Sequence, residues 1–95
     1  MPEAPAADPQ VEDKVKDAFE KGWAVLVWND PVNLMTYVVY VFRTVLKMDK
    51  QKATRHMLEV HEQGKSLVAR ETREKAEMLV HQLQSHGLQA TMQPT

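Results

Sequence analysis

Residues 23–42 read WAVLVWNDPVNLMTYVVYVF, a stretch in which two apolar segments meet at one polar turn. The first segment, residues 23–28, is aliphatic and aromatic and is followed by Asn29-Asp30-Pro31, so it predicts a buried strand that ends at that turn. Asn29 and Asp30 have two interpretations. They either hydrogen-bond the neighbouring backbone, as turn residues do, or stand as polar groups at the mouth of an apolar pocket.

The second apolar segment predicts a helix from Leu34 to about Lys47, with Asn33 as its N-cap. At about 100° per residue, the apolar side chains of a helix form stripes along its surface. Two such stripes are present, one made of Leu34, Val38, Val41 and Val45 and the other of Met35, Val39, Phe42 and Leu46. Two stripes exceed what one core contact needs. They indicate either a binding surface or a helix packed between a sheet and another helix.

The rest of the chain predicts two more helices and two more strands. Asp49 as N-cap and Gly64 as a left-handed C-cap bound the second helix. Residues 66–69 predict a strand, and a third helix begins near Thr72. Residues 88–93 alternate strictly and predict an edge or half-exposed strand. The order β-α-α-β-α-β predicts an α+β sandwich in which three helices cover one face of a three-stranded antiparallel sheet.

The chain of 95 residues suits one small domain. We expect residues 1–22 to form a disordered N-terminal extension and residues 23–95 to form the folded domain. The extension holds six acids and three lysines, and the domain holds seven acids and nine bases. Within the extension, residues 11–20 carry apolar residues at helical spacing.

Composition also limits the partners and the compartment. The charge of the extension and the charge of the domain do not predict a nucleic-acid surface, because no basic cluster is interleaved with aromatic residues. The longest apolar run is far shorter than the roughly 20 residues that span a bilayer, and the N-terminus has no signal-peptide pattern. Cysteine is absent, which excludes disulfides and thiol catalysis. We therefore expect a monomeric cytoplasmic protein that binds neither nucleic acid nor membrane.

Motifs of catalysis and metal binding are missing from the sequence. The three glycines are isolated at element boundaries, so no phosphate-binding loop is present. The histidines pair as His56 with His61 and His81 with His86, both at i, i+5, whereas a zinc-binding helix uses i, i+4. We expect no enzyme activity, no metal site and no cofactor.

What remains is a mixed group of polar and apolar residues at the end of the first strand, at the start of the first helix and on the second helix. Taken singly, each has a plain interpretation, since methionine commonly fills cores and a histidine near a helix C-terminus suits the helix dipole. Together they combine an apolar pocket with acceptors for an ammonium group. The group consists of Asn29, Asp30, Met35, Val38, Met57, Val60 and His61. It predicts a site for a free peptide N-terminus that carries a bulky side chain.

Two motifs carry a family resemblance. Asn29-Asp30 after the first strand with Met35 one turn into the helix, followed by MLEVHEQGK at residues 57–65, resembles the ClpS adaptors, which recognise bacterial N-degrons. The resemblance covers residues 23–93 and is nearest to the actinobacterial branch. Many family members carry a second acid where this chain has Pro31.

The resemblance implies an adaptor that binds proteins with an N-terminal Leu, Phe, Tyr or Trp and delivers them to the unfoldase ClpA or ClpC for degradation by ClpP. It implies that the α-amino group is bound by Asn29, Asp30 and His61. The hydrophobic pocket would be lined by Met35, Val38, Met57, Val60 and Leu88, with Asn33 and Leu34 at its rim. The unfoldase would dock at Lys75 and Glu71. It also implies that the unfoldase engages the N-terminal extension during delivery. The alternative is a protein-interaction domain whose methionines are plain core.

Overall fold

The structure, a computed structural model, describes residues 22–95 as six elements in the order β-α-α-β-α-β. The elements are β1 (Trp23–Trp28), α1 (Met35–Val45), α2 (Lys50–Gln63), β2 (Lys65–Glu71), α3 (Arg73–Ser85) and β3 (Gln89–Pro94). This order confirms the predicted α+β fold. The predicted disordered extension and its helical stretch at residues 11–20 lie outside the described residues.

The sheet is antiparallel, with β1 in the centre of the order β2-β1-β3. Trp23 at the start of β1 is paired with Glu71, and Trp28 at its end is paired with Lys65. Because side chains alternate along a strand, Val25 and Val27 enter the core beneath the helices. Residues 23–28 are therefore the buried strand that the sequence predicts, and β3 is an edge strand, as expected.

The helices pack on one face of this sheet and enclose a single apolar cluster. Its largest fully buried side chains are Phe42, Leu83, Val25, Val27 and Val41. Helix α1 packs against both other helices, so both of its apolar stripes are partly or fully covered in the middle and last turns. At its first turn, by contrast, Met35 keeps 46% of its surface exposed. The interpretation as a packed helix thus holds for the middle and last turns, whereas the first turn leaves an apolar side chain at the surface.

The prediction for the ends of α1 is wrong at both termini. The helix starts at Met35, and its N-cap is Leu34, which makes no side-chain capping bond. Asn33 does not cap because its amide donates elsewhere, to Asp30 and to Gly87. At the other end the helix stops at Val45, and Lys47 has a left-handed backbone with φ of 59°.

The remaining helix boundaries lie close to those that the sequence predicts, with Asp49 and Gly64 as the predicted caps. The Asp49 carboxylate accepts from the Lys52 amide at 2.8 Å, and Gly64 ends α2 with φ of 89°. Thr72 caps α3 through a bond from the Lys75 amide at 3.2 Å. Strand β2 is longer than the predicted residues 66–69, because its pairing with β1 continues to Glu71.

Candidate functional site

A cavity of about 350 Å³ opens between the start of α1, the end of α2 and the turn that joins α3 to β3. This volume lies in the range of small-ligand sites, about 300–1,000 Å³. Its lining comprises Val27, Trp28, Asn29, Asp30, Pro31, Asn33, Leu34, Met35, Val38, Met57, Val60, His61 and Leu88. Every residue that the sequence assigned to the α-amino site, the hydrophobic pocket and its rim is in that set. We call this cavity the amine pocket.

The polar edge of the amine pocket begins where β1 ends. The backbone amide of Asn29 donates to the Gly64 carbonyl at 2.9 Å, which joins the end of β1 to the C-cap of α2. That bond sets the Asn29-Asp30 turn beside the last turn of α2, which carries His61. The three polar residues lie far apart in the sequence and meet at one edge of the cavity because of this junction.

Asp30 is held in place by two donors. Its Oδ1 accepts from the Val32 amide at 2.8 Å, and its Oδ2 accepts from Asn33 Nδ2 at 3.3 Å. A carboxylate has about four acceptor positions, so two bonds leave capacity for a further donor. Asp30 is therefore both a turn residue and a pocket residue, and the two interpretations of this stretch are compatible.

Asn33 and Tyr37 fasten the opposite edge of the amine pocket. Asn33 Nδ2 donates to the Gly87 carbonyl at 2.9 Å, and the Tyr37 hydroxyl donates to the His86 carbonyl at 2.6 Å. Both acceptors belong to the turn that carries Leu88, whose side chain is buried and lines the cavity. Sequence reasoning missed Tyr37. A half-buried tyrosine needs a partner for its hydroxyl, and that requirement could have identified it.

The apolar interior of the amine pocket comes from two helices. Val38, Met57 and Val60 are buried in the main core cluster and also line the cavity, so the pocket floor is continuous with the core. Met35 is half exposed and Leu34 is 73% exposed, so both lie toward the mouth. Methionine is flexible and polarizable, and it adapts to differently shaped apolar groups.

His61 lies in the last turn of α2 with its side chain exposed to solvent and facing the cavity. Within residues 22–95 no hydrogen bond engages its ring. The imidazole ring is thus available to a ligand, either as a hydrogen-bond acceptor through a bare ring nitrogen or as a donor through an N–H group.

Glu71 and Lys75, predicted to dock an unfoldase, do not belong to the amine pocket. Glu71 is paired with the first residue of β1, whereas the pocket is lined by the last two residues of that strand, Val27 and Trp28. Lys75 Nζ lies 3.8 Å from Glu71 Oε2, so the two side chains form an ion pair of their own. They contribute to a separate groove, which is also lined by Arg70 and Leu79.

A polar cluster that sequence reasoning did not anticipate lies between α2 and β2. His56 Nδ1 is 2.7 Å from the Oγ of buried Ser66, which donates to Glu59 Oε1 at 2.5 Å. Because the hydroxyl proton goes to Glu59, His56 donates from Nδ1. Burial lowers the pKa of His56, and nearby Lys52 and Arg55 lower it further, against the opposing effect of Glu59.

Two classes of site have no counterpart in the described part of the chain. Residues 22–95 contain no cluster of three or more potential metal ligands. None of the helices in this range is both long enough and apolar enough to span a bilayer.

Comparison with known proteins settles the family. A model of the family described as ATP-dependent Clp protease adaptor protein ClpS matches residues 19–91. The chain belongs to the ClpS family. It is therefore an adaptor of an ATP-dependent Clp protease and not an enzyme.

ClpS proteins of actinobacteria are similar over nearly the whole chain. The ClpS of Corynebacterium glutamicum is 47% identical over 94 residues, which cover 97% of this chain and 94% of that protein. The ClpS of Mycobacterium marinum is 44% identical over 92 residues, covering 97% of this chain and 91% of the relative. All of these relatives are described as ATP-dependent Clp protease adapter protein ClpS.

A solved ClpS structure shares the fold. The structure of Agrobacterium tumefaciens ClpS2 bound to L-phenylalaninamide matches with a TM-score of 0.68. It is 23% identical in sequence and covers 77% of this chain and 95% of that chain. The common architecture confirms the predicted fold independently of the sequence match.

Proposed function

We propose that this ClpS protein binds the N-terminal residue of proteins that begin with Leu, Phe, Tyr or Trp. It then presents them to a Clp unfoldase, ClpC or ClpA, for degradation. The observation that carries the proposal is the composition of the amine pocket. An apolar cavity of about 350 Å³ has Asn29, Asp30 and His61 along one edge. Such a site fits the N-terminal residue, because only that residue of a protein carries its side chain and a free ammonium group on the same carbon atom.

The α-ammonium group binds at the polar edge. The Asp30 carboxylate supplies charge and acceptor positions, and the Asn29 amide oxygen and the His61 imidazole supply neutral acceptors. A hydrogen bond to a charged group contributes roughly 1.5–3 kcal/mol. An acetylated N-terminus lacks the charge and two of the donors, so it forfeits this contribution.

The first side chain of the substrate enters the apolar interior. Burial of a Leu or Phe side chain contributes roughly 1.5–3 kcal/mol. Together the two contributions amount to roughly 3–6 kcal/mol, which corresponds to a Kd between millimolar and tens of micromolar before the costs of association. Met35 at the mouth disfavours a β-branched first residue, because such a side chain is stiff at χ1 and branches next to the backbone, where it meets Met35.

The ligand of the Agrobacterium protein supports this assignment. L-phenylalaninamide carries a free α-ammonium group, a benzyl side chain and an amide in place of the next peptide bond. Those are the three features of a peptide that begins with Phe. The same chemistry is available in this chain from Asp30, from the apolar interior and from the open mouth of the cavity.

Delivery requires a second contact, which we assign to Lys75 and Glu71 at the other end of the domain. The separation of the two sites lets a substrate and an unfoldase bind at the same time. Because the similar proteins come from actinobacteria, ClpC is the partner that we expect. The unfoldase engages residues 1–22 during delivery, and the adaptor acts as a cytoplasmic monomer.

Degradation of a reporter tests the proposal. The purified protein is added to ClpCP with a stable reporter whose N-terminus is Phe, and with the same reporter beginning with Met. We expect faster degradation of the Phe reporter only, and no acceleration with Asp30→Ala. Equal acceleration of both reporters would instead support an interaction domain that does not read the N-terminus.

A further inference from the structure

A second groove lies at the opposite end of the domain from the amine pocket, and we call it the basic groove. Its floor is apolar and consists of Leu46, Met48, Val68 and Leu79. These residues come from the segment that follows α1, from β2 and from α3, so the floor joins the sheet to the helical layer. Of these, Leu46 remains half exposed at the surface, as does its neighbour Val45.

The rim of the basic groove carries a strong excess of positive charge. Its cations are Lys47, Lys52, Arg70 and Lys75, and Glu71 is the one acid among the lining residues. Lys75 already lies 3.8 Å from Glu71, so three cations have no acid of the groove beside them. The surface therefore fits an occupant that is both acidic and amphipathic.

The backbone at Lys47 adds a second unusual feature to this rim. Its φ of 59° places it in the left-handed region, which glycine or asparagine occupies at lower cost than lysine. The chain thus holds a cation at a position where backbone preference favours another residue.

The sequence of the same chain contains an amphipathic segment within an acidic stretch. Residues 11–21, VEDKVKDAFEK, hold four acids and three lysines together with Val11, Val15 and Phe19 at helical spacing. Residues 1–21 as a whole hold six acids and three lysines. This charge balance complements the excess of three cations in the basic groove.

The point at which this segment joins the domain lies next to the basic groove. Trp23 is paired with Glu71, a groove residue, on the neighbouring strand, and adjacent strands are about 4.8 Å apart. The Gly22 carbonyl accepts from the Thr95 amide at 2.7 Å, which fixes the chain just before β1. A segment attached so closely has an effective concentration near the groove in the millimolar range, so weak contacts suffice.

We propose that residues 11–21 dock in the basic groove of their own chain. Val15 and Phe19 cover the apolar floor, and Glu12, which lies on the flank of their stripe, faces the lysines of the rim. The contact combines burial of apolar surface with charge pairs near the surface, and the charge pairs weaken as salt screens them.

The docked segment has a consequence for delivery, and this consequence rests on the proposed function. Glu71 and Lys75 line the basic groove, so the segment and an unfoldase that contacts these residues compete for one surface. Binding of the unfoldase then releases the segment at the moment when the unfoldase must grasp it. The docking itself does not depend on substrate or unfoldase.

Paramagnetic relaxation in the full chain tests the docking. The protein has no cysteine, so Gln10→Cys provides a single site for a spin label directly before the segment. We expect the amide signals of Met48, Val68 and Leu79 to lose most of their intensity, and those of Asn29 and Leu88 in the amine pocket to keep theirs. Intensities that fall equally in both regions, or in neither, would overturn the proposal.

Charge reversal supplies a matched pair of variants for this measurement. Lys52→Glu with Arg70→Glu should restore the groove signals, whereas Lys50→Glu with Arg55→Glu changes the charge equally at exposed positions that do not line the groove. The amide spectrum of each variant reports whether it is folded. In the protein without groove substitutions, 0.5 M salt should also restore the groove signals, because salt screens the charge pairs. Restoration by both pairs would overturn the proposal.

A mixed sample distinguishes a second copy from the same chain. Spin-labelled chains without isotope are mixed with isotope-labelled chains without the spin label. Full intensity of the groove signals in the mixture is expected for docking within one chain. Loss of intensity there would show that the segment binds another copy and would overturn the proposal. No N-degron peptide or unfoldase is present, so the outcome is independent of the proposed function.

Discussion

The backbone amide of Asn29 lies 2.9 Å from the carbonyl oxygen of Gly64. This one bond joins two segments that are far apart in the sequence, the end of the central strand and the C-cap of α2. It brings the Asn29-Asp30 turn beside the turn of helix that carries His61. The polar edge of the amine pocket is thus a consequence of how a strand end meets a helix end.

Removal of the Asp30 carboxylate should weaken peptide binding with little loss of structure. Asp30→Ala deletes one charged acceptor, worth roughly 1.5–3 kcal/mol, so the Kd of a Phe-initial peptide should rise roughly ten- to hundredfold. The bond from the Val32 amide is also lost, at a cost of about 1 kcal/mol in unfolding free energy. Fluorescence anisotropy and urea denaturation measure the two effects.

Glu62→Ala is the control for this substitution, because Glu62 is an exposed carboxylate next to His61 that does not line the pocket. It should leave the Kd nearly unchanged. An unfolded Asp30→Ala protein would mean that the carboxylate acts on the turn alone.

Loss of the Tyr37 hydroxyl should loosen the wall of the pocket. Tyr37→Phe removes the bond to the His86 carbonyl, which should lower the unfolding free energy by about 0.5–1.5 kcal/mol. The turn that carries Leu88 is then less firmly held, and the affinity for Phe-initial peptides should fall. Thermal denaturation and peptide titration measure these changes.

Tyr40 gives a matched control for the tyrosine substitution. Its ring stacks against Tyr37 at a centroid distance of 6.1 Å, yet Tyr40 is exposed and does not line the amine pocket. Tyr40→Phe should change neither stability nor affinity. Equal effects at both positions would assign the change to the stacked pair rather than to the bond with His86.

Truncation of Met35 should change selectivity more than affinity. Met35→Ala widens the mouth of the pocket. The affinity for peptides that begin with Ile or Val should therefore increase relative to the affinity for peptides that begin with Leu. Met78→Ala is the control, because Met78 is similarly exposed on α3 and does not line the pocket. An unchanged ratio of Kd values for Ile and Leu peptides would show that Met35 does not restrict the first residue.

Stability should depend on the protonation of His56. Burial lowers the pKa of His56 in the folded protein below its ordinary value of 6.5, so the unfolded chain takes up the proton more readily. The contribution of this group to stability is therefore fully present above pH 6.5. It is lost as the pH falls from 6.5 through the lower pKa of the folded state. Urea denaturation between pH 5 and 8 measures the change in unfolding free energy.

A glutamine at His56 isolates this effect. His56→Gln cannot take up the proton, so the decline in stability below pH 6.5 should become shallower than in the parent protein. His81→Gln on the exposed surface of α3 is the control and should preserve the parent profile. The account of His56 would fail if the two variants had the same dependence on pH.

The elements could be predicted from the sequence because local patterns determine them, and the pocket residues could be named because their motifs resemble those of a known family. Caps at Asp49, Gly64 and Thr72 act through bonds within a few residues, and apolar spacing indicates which face is buried. The start of α1 could not be predicted in this way. Asn33 has the side chain of a good cap, but its amide donates to Gly87, a partner 54 residues away.

Contacts between distant elements account for the other features that the sequence did not reveal. The bond from Tyr37 to His86 and the cluster of His56, Glu59 and Ser66 depend on which helix meets which strand. The extra length of β2 has the same origin, because a neighbouring strand offers its backbone groups as far as Glu71. Local preference cannot specify bonds of this kind.

The most direct test of the central claim compares L-phenylalaninamide with N-acetyl-L-phenylalaninamide in amide-resolved NMR titrations. The two ligands share a side chain and differ in the charge and donors of the α-nitrogen. We predict that the free amine shifts the signals of Asn29, His61 and Leu88 in a saturable manner, and that the acetylated ligand shifts them at least tenfold more weakly, as expected for the loss of about 1.4 kcal/mol or more. Equal shifts by both ligands, or none by either, would contradict the claim that this pocket recognises a free N-terminus.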